Sequence, residues 1–176
     1  MRTQACLITI GIGVLAACGP TAAEEVTVQV NLVDGEGVGR SIGTVTLTDT
    51  QHGLLITPRL EGLTPGLHGF HVHQNPQCGP AEKDGKKVAA LAAGDHFDPD
   101  HASHHEGPYR EGHKGDLPAL FVDEAGRASL PLLAPRLKAA DLKGRALMVH
   151  AGADNYSDAP EKLGGGGARV ACGTIP

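Results

Sequence analysis

Apolar and polar side chains alternate in short runs along residues 26–176, and glycine, proline or aspartate separates the runs. In the first run Val26, Val28, Val30 and Leu32 would share one face of a strand, because side chains alternate along an extended backbone. Such runs, closed by turn residues, are typical of an all-β domain. The predicted strands are 26–33, 41–48, 53–60, 67–73, 117–123, 127–133, 145–150 and 168–175.

Composition narrows the fold class further. The chain has 176 residues, enough for one domain, with 25 glycines, 12 prolines and only 3% aromatic residues. Many turns and an aliphatic core favour an eight-stranded Greek-key β-barrel or sandwich over a helical bundle. We expect strand 53–60 to break near Pro58, and residues 137–141 to form one helical turn.

Two long segments do not follow the strand pattern, namely 74–116 and 151–167. Irregular connections of that length inside a compact domain are usually functional or disordered. The second ends in four consecutive glycines. These glycines form either a loose loop or a place where the backbone passes close to a site.

Residues 1–25 are predicted to be a targeting segment, which leaves 26–176 as the folded domain. An apolar run from Ala5 to Ala17 follows Arg2 and is too short to span a membrane. Cys18 comes next, as in a bacterial lipobox, which predicts an exported protein tethered to a membrane through lipidated Cys18. Simple cleavage after Ala23 is the alternative. The formal net charge is −5, so the chain lacks the excess of basic residues that is typical of nucleic-acid-binding proteins.

Two cysteines, Cys78 and Cys172, remain in the exported domain. A single pair in an oxidising compartment is expected to form a disulfide. Two buried free thiols are the alternative reading.

Histidine is the residue type that points to chemistry, because the chain has ten. His71 and His73 would share one strand face, where they are either two solvated residues or two ligands of a transition metal. The long segment adds further histidines and Asp116, and His150 ends a strand. Three histidines with one aspartate suit a closed zinc site, whereas an all-nitrogen group suits Cu(II). The loop candidates are His96, His101, His104, His105 and His113.

Six segments in this order resemble the copper/zinc superoxide dismutases of the bacterial exported branch. The resemblance covers essentially all of residues 26–176. The segments are 66–73, 94–99, 105–108, 112–118, 146–150 and 164–173.

The resemblance implies one copper and one zinc ion and assigns a role to each matching residue. Copper would be held by His71, His73, His96 and His150. Zinc would be held by His96, His105, His113 and Asp116, so that His96 bridges the two metals. Cys78 and Cys172 match the family disulfide.

Two further residues match family positions outside the ligand set. Arg169 matches the arginine that receives the anionic substrate, superoxide. Asp154 matches a carboxylate that bonds the free ring nitrogens of one copper ligand and one zinc ligand, here His71 and His105. The implied reaction converts superoxide to dioxygen and hydrogen peroxide in the cell envelope, with His96 carrying a proton.

Several positions stay open at this level. His104 competes with the adjacent His105 for the zinc role, whereas His68 is expected to bond backbone. Asp95 stands where the family usually has a small residue or proline. Four loop lysines are either ordinary solvated side chains or a positive funnel for superoxide: Lys83, Lys86, Lys87 and Lys114. Monomer and homodimer are both open.

Two other functional classes compete with the enzyme. A metal buffer, or a relative that has lost catalysis, would be expected to lack a ligand or the arginine, and this chain has all of them. A purely structural β-sandwich with incidental histidines would not match the family at so many ordered positions.

Overall fold

The computed structural model describes residues 25–176, and nearly all of its regular structure is β. The predicted targeting segment up to residue 24, with Cys18, lies outside the described residues. The strands are β1 Glu25–Asp34, β2 Gly37–Thr50, β3 Gly53–Glu61, β4 Gly66–His68, β5 Phe70–His73, β6 Ala81–Lys83, β7 Lys86–Val88, β8 Leu120–Val122, β9 Arg127–Ala128, β10 Leu132–Ala134, β11 Ala146–His150 and β12 Arg169–Thr174. Short 3-10 turns cover Leu91–Ala93, Ala139–Leu142 and Lys162–Gly165.

One antiparallel sheet of eight strands dominates the fold. Its order is β10, β3, β2, β1, β12, β11, β5, and β9 also pairs with β3. The sheet curls into a half-barrel, and β4 with β8 forms a separate pair. The predicted all-β class with two long irregular loops is therefore confirmed.

Alternation along the strands builds the core as expected. Val28 and Val30 of β1 are buried, as are Phe70 and Val72 of β5, and all four belong to one apolar cluster. His71 and His73 are also buried, but they point to the opposite face of β5. This arrangement leaves the second face of β5 for polar chemistry.

Four local predictions were wrong. Strand 127–133 is interrupted at 129–131, so it forms β9 and β10. Strand 67–73 is interrupted at Gly69, so it forms β4 and β5. β3 runs unbroken through Pro58, because its outer partners β10 and β9 pair only with residues on either side of the proline. The first long loop contains the β6–β7 hairpin, whose Asp84-Gly85 turn has positive φ at both residues.

The loops dock on the free edge of β5 through backbone hydrogen bonds. Phe97 N–H donates to Val72 O at 2.8 Å, and Val72 N–H donates to Gly115 O at 2.8 Å. His96 and Asp116 lie beside these residues and pair with His73 and His71 as isolated bridges. An irregular segment thus acquires fixed side-chain positions from the regular strand that it borders.

Cys78 and Cys172 form a disulfide, as predicted, with Cα atoms 5.7 Å apart. The bridge joins the start of the long loop to β12, and both residues are buried. It closes a chain segment of 94 positions. Cross-linking distant positions stabilises a fold chiefly by restricting the unfolded chain.

Replacing both cysteines by serine should lower the free energy of unfolding by about 2–5 kcal/mol. Urea denaturation of the metal-stripped protein and variant checks this, and the double replacement avoids leaving a free thiol. Identical urea midpoints would show that the bridge adds nothing to stability.

Within residues 25–176 no helix has the length and apolar character needed to cross a membrane.

Candidate metal centre

Four histidines converge on the polar side of β5. His71 and His73 come from β5, His150 from the end of β11, and His96 from the loop segment docked on β5. All four rings are buried, and one nitrogen of each lies within 4.8 Å of those of the others. β11 is the strand neighbour of β5, with Met148 opposite His71, which brings His150 to the same face.

One nitrogen of each ring is fixed by a hydrogen bond. His71 Nε2 donates to Asp154 Oδ2 at 2.7 Å, and His73 Nδ1 lies 2.9 Å from Gly94 O. His150 Nδ1 lies 3.1 Å from Gly167 O. These bonds set the orientation of each imidazole.

The other nitrogen of each ring is buried and has no hydrogen-bond partner. Leaving a buried polar atom unpaired costs about 1–3 kcal/mol. Several such atoms converging on one point form the donor set that a cation requires, so these residues fit a metal ion. The unpartnered atoms are His71 Nδ1, His73 Nε2, His96 Nε2 and His150 Nε2.

Electrostatics keep this group uncharged and ready to bind. Burial, and next the neighbouring His96, lower the pKa of His71 to about 3. Burial, with His96 and Arg169 adding to it, lowers the pKa of His150 to about 4. The pKa of His73 is also lowered, first by burial. Neutral imidazoles bind metals without first losing a proton.

A second group lies on the far side of His96, around the Asp116 carboxylate. His96 Nδ1 is 2.9 Å from Asp116 Oδ1, and His105 Nδ1 is 2.9 Å from Asp116 Oδ2. His113 Nδ1 is 3.5 Å from Asp116 Oδ1. Despite these short distances, Nδ1 of His105 and Nδ1 of His113 do not have the geometry of a hydrogen bond to Asp116. Both nitrogens, and Asp116 Oδ2, are buried without a hydrogen-bond partner. These atoms therefore also fit a shared cation.

The four residues of this second group whose ligand atoms all lie within 4.8 Å of one another are His71, His96, His105 and Asp116, so that His71 stands in place of His113. His71 enters it because its ring centroid is only 4.0 Å from that of His96. His71 has one unpartnered nitrogen, which it shares with the first group.

His105 lies between two carboxylates, which favour its protonated form. Burial would lower its pKa, but the carboxylates of Asp116 and Asp154 outweigh burial and raise the pKa to about 9. The pKa of Asp116 is lowered: burial opposes ionisation, but the adjacent histidines prevail. A cation bound here would replace that proton between the same groups.

Asp154 connects the two groups. Its Oδ2 accepts from His71 Nε2 at 2.7 Å and its Oδ1 accepts from His105 Nε2 at 2.8 Å. The glycine run packs against this connection: a Cβ at Gly164 would meet Asp154 Oδ1 and come within 2.8 Å of His105 Nε2. The sequence left two interpretations of the four glycines, a loose loop or backbone that passes close to a site. At Gly164 the second interpretation is correct.

Arg169 starts β12 beside the first group and is held by two carbonyls. It donates to Ala90 O and Gly94 O, both at 2.7 Å, and Gly94 O also contacts His73. Burial lowers the pKa of Arg169, whereas the charge of Asp95 opposes that shift. Gly94 has φ 76° and ψ −156°, a conformation that favours glycine, so the carbonyl can face both side chains.

A neighbouring cavity of about 570 Å³ is lined by Asp95 and Lys162 together with His96 and His113. The sequence did not identify Lys162 as a candidate, because a single lysine before a glycine run carries no motif that would place it at a site. Lys114 instead pairs with Asp141 at 3.1 Å. Lys83, Lys86 and Lys87 lie on the exposed β6–β7 hairpin.

The remaining histidines lie outside both groups. His104 is exposed, and its ring lies 3.7 Å from Glu106. The adjacent His105, in contrast, is buried beside Asp116. The ring nitrogens of His68 lie 2.6 Å from His150 O and 2.8 Å from Thr64 O, the structural role expected of it. His52 and His101 are exposed.

Comparison with known proteins identifies a family that binds two metals. Residues 41–175 match the family model described as copper/zinc superoxide dismutase. The chain belongs to the copper/zinc superoxide dismutase family. It is 53% identical over 169 residues to superoxide dismutase [Cu-Zn] 2 of Salmonella typhimurium, covering 96% of this chain and 98% of that protein.

Solved structures of this family agree. The Cu/Zn superoxide dismutase from Brucella abortus is 53% identical, with TM-score 0.86, covering 87% of this chain and all of that one. The solution structure of the monomeric copper, zinc superoxide dismutase from Salmonella enterica is 55% identical, with TM-score 0.78, and covers the same shares.

The activity of the copper/zinc superoxide dismutase family is therefore that of this chain: superoxide is disproportionated to dioxygen and hydrogen peroxide. Copper and zinc are its cofactors, and zinc structures the site. The prediction of an enzyme is confirmed, against both the metal buffer and the purely structural β-sandwich.

Proposed function

We propose that this chain disproportionates superoxide with copper held by His71, His73, His96 and His150, and zinc held by His96, His105, His113 and Asp116. The observation that supports this assignment most directly is the set of buried, unpartnered ligand atoms. These atoms form two clusters, and the His96 ring lies between them, with Nε2 in the first cluster and Nδ1 against the Asp116 carboxylate of the second.

The net reaction is 2 O₂⁻ + 2 H⁺ → O₂ + H₂O₂. Copper, when bound, supplies the one-electron couple that oxidises one superoxide and reduces the next. His96 Nε2 is the atom that takes up and returns a proton, because it faces the all-histidine group while Nδ1 faces Asp116. Zinc at Nδ1 would make the imidazole easier to deprotonate.

Asp154 orients one histidine of each metal group through its two oxygens. Fixing both rings from one carboxylate couples the geometry of the two groups. Outer partners of this kind typically contribute 10–100-fold to metal affinity.

Arg169 receives the anionic substrate. Its guanidinium does not titrate, and two carbonyls hold it beside His73. A fixed local positive charge is needed because the chain carries a formal net charge of −5, which repels superoxide.

Arg169→Ala should retain both metals and lower the second-order rate with superoxide about tenfold at low salt. Pulse radiolysis across a range of ionic strength measures this rate. Arg59→Ala, which removes the same charge from an exposed strand position, serves as the control and should stay near wild type. Equal rates for Arg169→Ala and wild type at low salt would argue against the role.

The assignment as a whole is tested by metal analysis of the purified protein, paired with a dismutase assay before and after copper loading. We expect activity to rise in step with copper content. Full activity without copper would reject the proposal.

We further propose that the protein is exported and tethered in the bacterial envelope through lipidated Cys18, where it protects against oxidative damage. The apolar run and the lipobox-like residues before Cys18 support this. Mass spectrometry of the mature N-terminus decides between lipidation of Cys18 and a soluble form cleaved after Ala23.

A homodimer is the assembly that we propose for this chain. Leu67 and Phe121 are cross-strand partners in the β4–β8 pair and are 54% and 45% exposed. An isologous contact would bury this pair in both copies. Analytical ultracentrifugation tests the proposal: a purely monomeric protein at micromolar concentration would contradict it.

A further inference from the structure

Arg136 lies in the segment between β10 and the 3-10 turn Ala139–Leu142, away from all proposed ligands in sequence. Its side chain is partly buried and spans the loop that contains His105 and His113. Four backbone carbonyls accept from its guanidinium: Pro108 O from Nε at 3.2 Å, Gly112 O from Nη1 at 2.9 Å, and Gly107 O and His113 O from Nη2 at 3.2 and 2.6 Å.

These carbonyls belong to a stretch with no regular strand or helix between its two proposed zinc ligands. Carbonyls in such a stretch have no ladder of N–H donors and need other partners. Arg136 supplies them at both ends of the stretch, two residues after His105 and at His113 itself. One side chain therefore closes the loop that separates the two ligands.

The contact set requires the shape of arginine. A guanidinium presents five N–H donors in a rigid planar fork, whereas an ammonium is a compact point charge. Lysine at this position would keep the charge and most of the stem, but it could not span four carbonyls.

Other contacts leave the loop little freedom once Arg136 is in place. His113 N–H donates to His104 O at 3.0 Å, and a Cβ at Gly112 would come within 2.6 Å of Glu106 N. The positions of His105 and His113 are therefore tied together by backbone contacts.

We propose that Arg136 is a positioning residue that sets zinc affinity by holding the His105–His113 loop in its binding conformation. The proposal rests on the zinc ligand set given under Proposed function. Ordering the loop in advance removes part of the entropy cost that binding would otherwise carry.

The test uses wild type, Arg136→Lys and Arg136→Gln, each loaded with copper and zinc. Each protein is equilibrated with increasing chelator, and retained copper and zinc are counted by mass spectrometry. We expect both variants to bind zinc about 10–100-fold more weakly, with copper affinity changed less than about twofold. Arg110→Gln, on the same loop but exposed, is the matched control and should behave as wild type.

Zinc affinity within twofold of wild type in both variants would overturn the proposal. An equal fall in copper and zinc affinity, with a lower urea midpoint of the metal-stripped protein, would also overturn it, because that pattern indicates general destabilisation. Arg136→Lys guards against misfolding of the glutamine variant. Failure of wild type to bind zinc, or an unchanged zinc affinity in His113→Ala, would instead reject the ligand set itself.

Discussion

His150→Ala should abolish superoxide dismutation while zinc stays bound. His150 contributes Nε2 to the all-histidine group and no atom to the group around Asp116. Loss of an outer-shell partner already costs 10–100-fold in affinity, so loss of a ligand should weaken copper binding by more than about 100-fold. The assay pairs metal analysis with dismutase activity on the purified variant.

The alanine leaves a buried gap, so a control must separate metal loss from unfolding. Zinc retention supplies it, because the zinc group needs the folded loops. His52→Ala, at an exposed position, should keep both metals and full activity. A copper-free His150→Ala protein that still dismutates superoxide at the wild-type rate would show that the activity does not require copper.

Gly164→Ala is expected to have the second largest effect. The added methyl would collide with Asp154 Oδ1 and the His105 ring, so Asp154 could no longer orient both His71 and His105. We expect zinc affinity to fall at least about 100-fold, the upper end of the range for an outer-shell partner. Chelator competition on the loaded protein measures it.

Gly167→Ala is a closely matched control, because Gly164 and Gly167 have φ values of 74° and 72°. Both alanines are strained in the same backbone region, at about 1–2 kcal/mol. Only Gly164 has neighbours: a Cβ at Gly167 meets nothing within 4 Å. If both variants lose zinc equally, backbone strain rather than contact with Asp154 is the cause.

Alternation along strands was enough to predict the two faces of β5. It placed Phe70 and Val72 in the core and His71 and His73 on the opposite side. The pattern did not predict the break at Gly69, because the interruption comes from tertiary contact: Gly69 N–H donates to Gly152 O at 2.7 Å.

The choice between His104 and His105 depended on the family resemblance rather than on spacing. Adjacent residues in an irregular loop have no fixed relation until the backbone is known. In the structure the backbone N–H of His105 donates to Asp158 Oδ2 at 2.8 Å, which fixes the backbone of the residue whose ring lies against Asp116. Asp158 is 53 positions away in sequence, and no local pattern reveals that contact.

The contacts of Arg136 also could not be predicted from the sequence. Its neighbours in sequence suggest only a surface connection after a short strand, yet it bonds four carbonyls that precede it by more than 20 positions. Sequence motifs identify residues whose chemistry is specific, such as histidine ligands. They do not identify residues that act only on backbone.

The most direct test of the account is a crystal structure of the oxidised, copper- and zinc-loaded protein, with anomalous data at both absorption edges. We predict one copper peak and one zinc peak, with the ring of residue 96 between them and each of its nitrogens bound to a different ion. Two peaks that do not share that ring, or both metals on one side of it, would contradict the account.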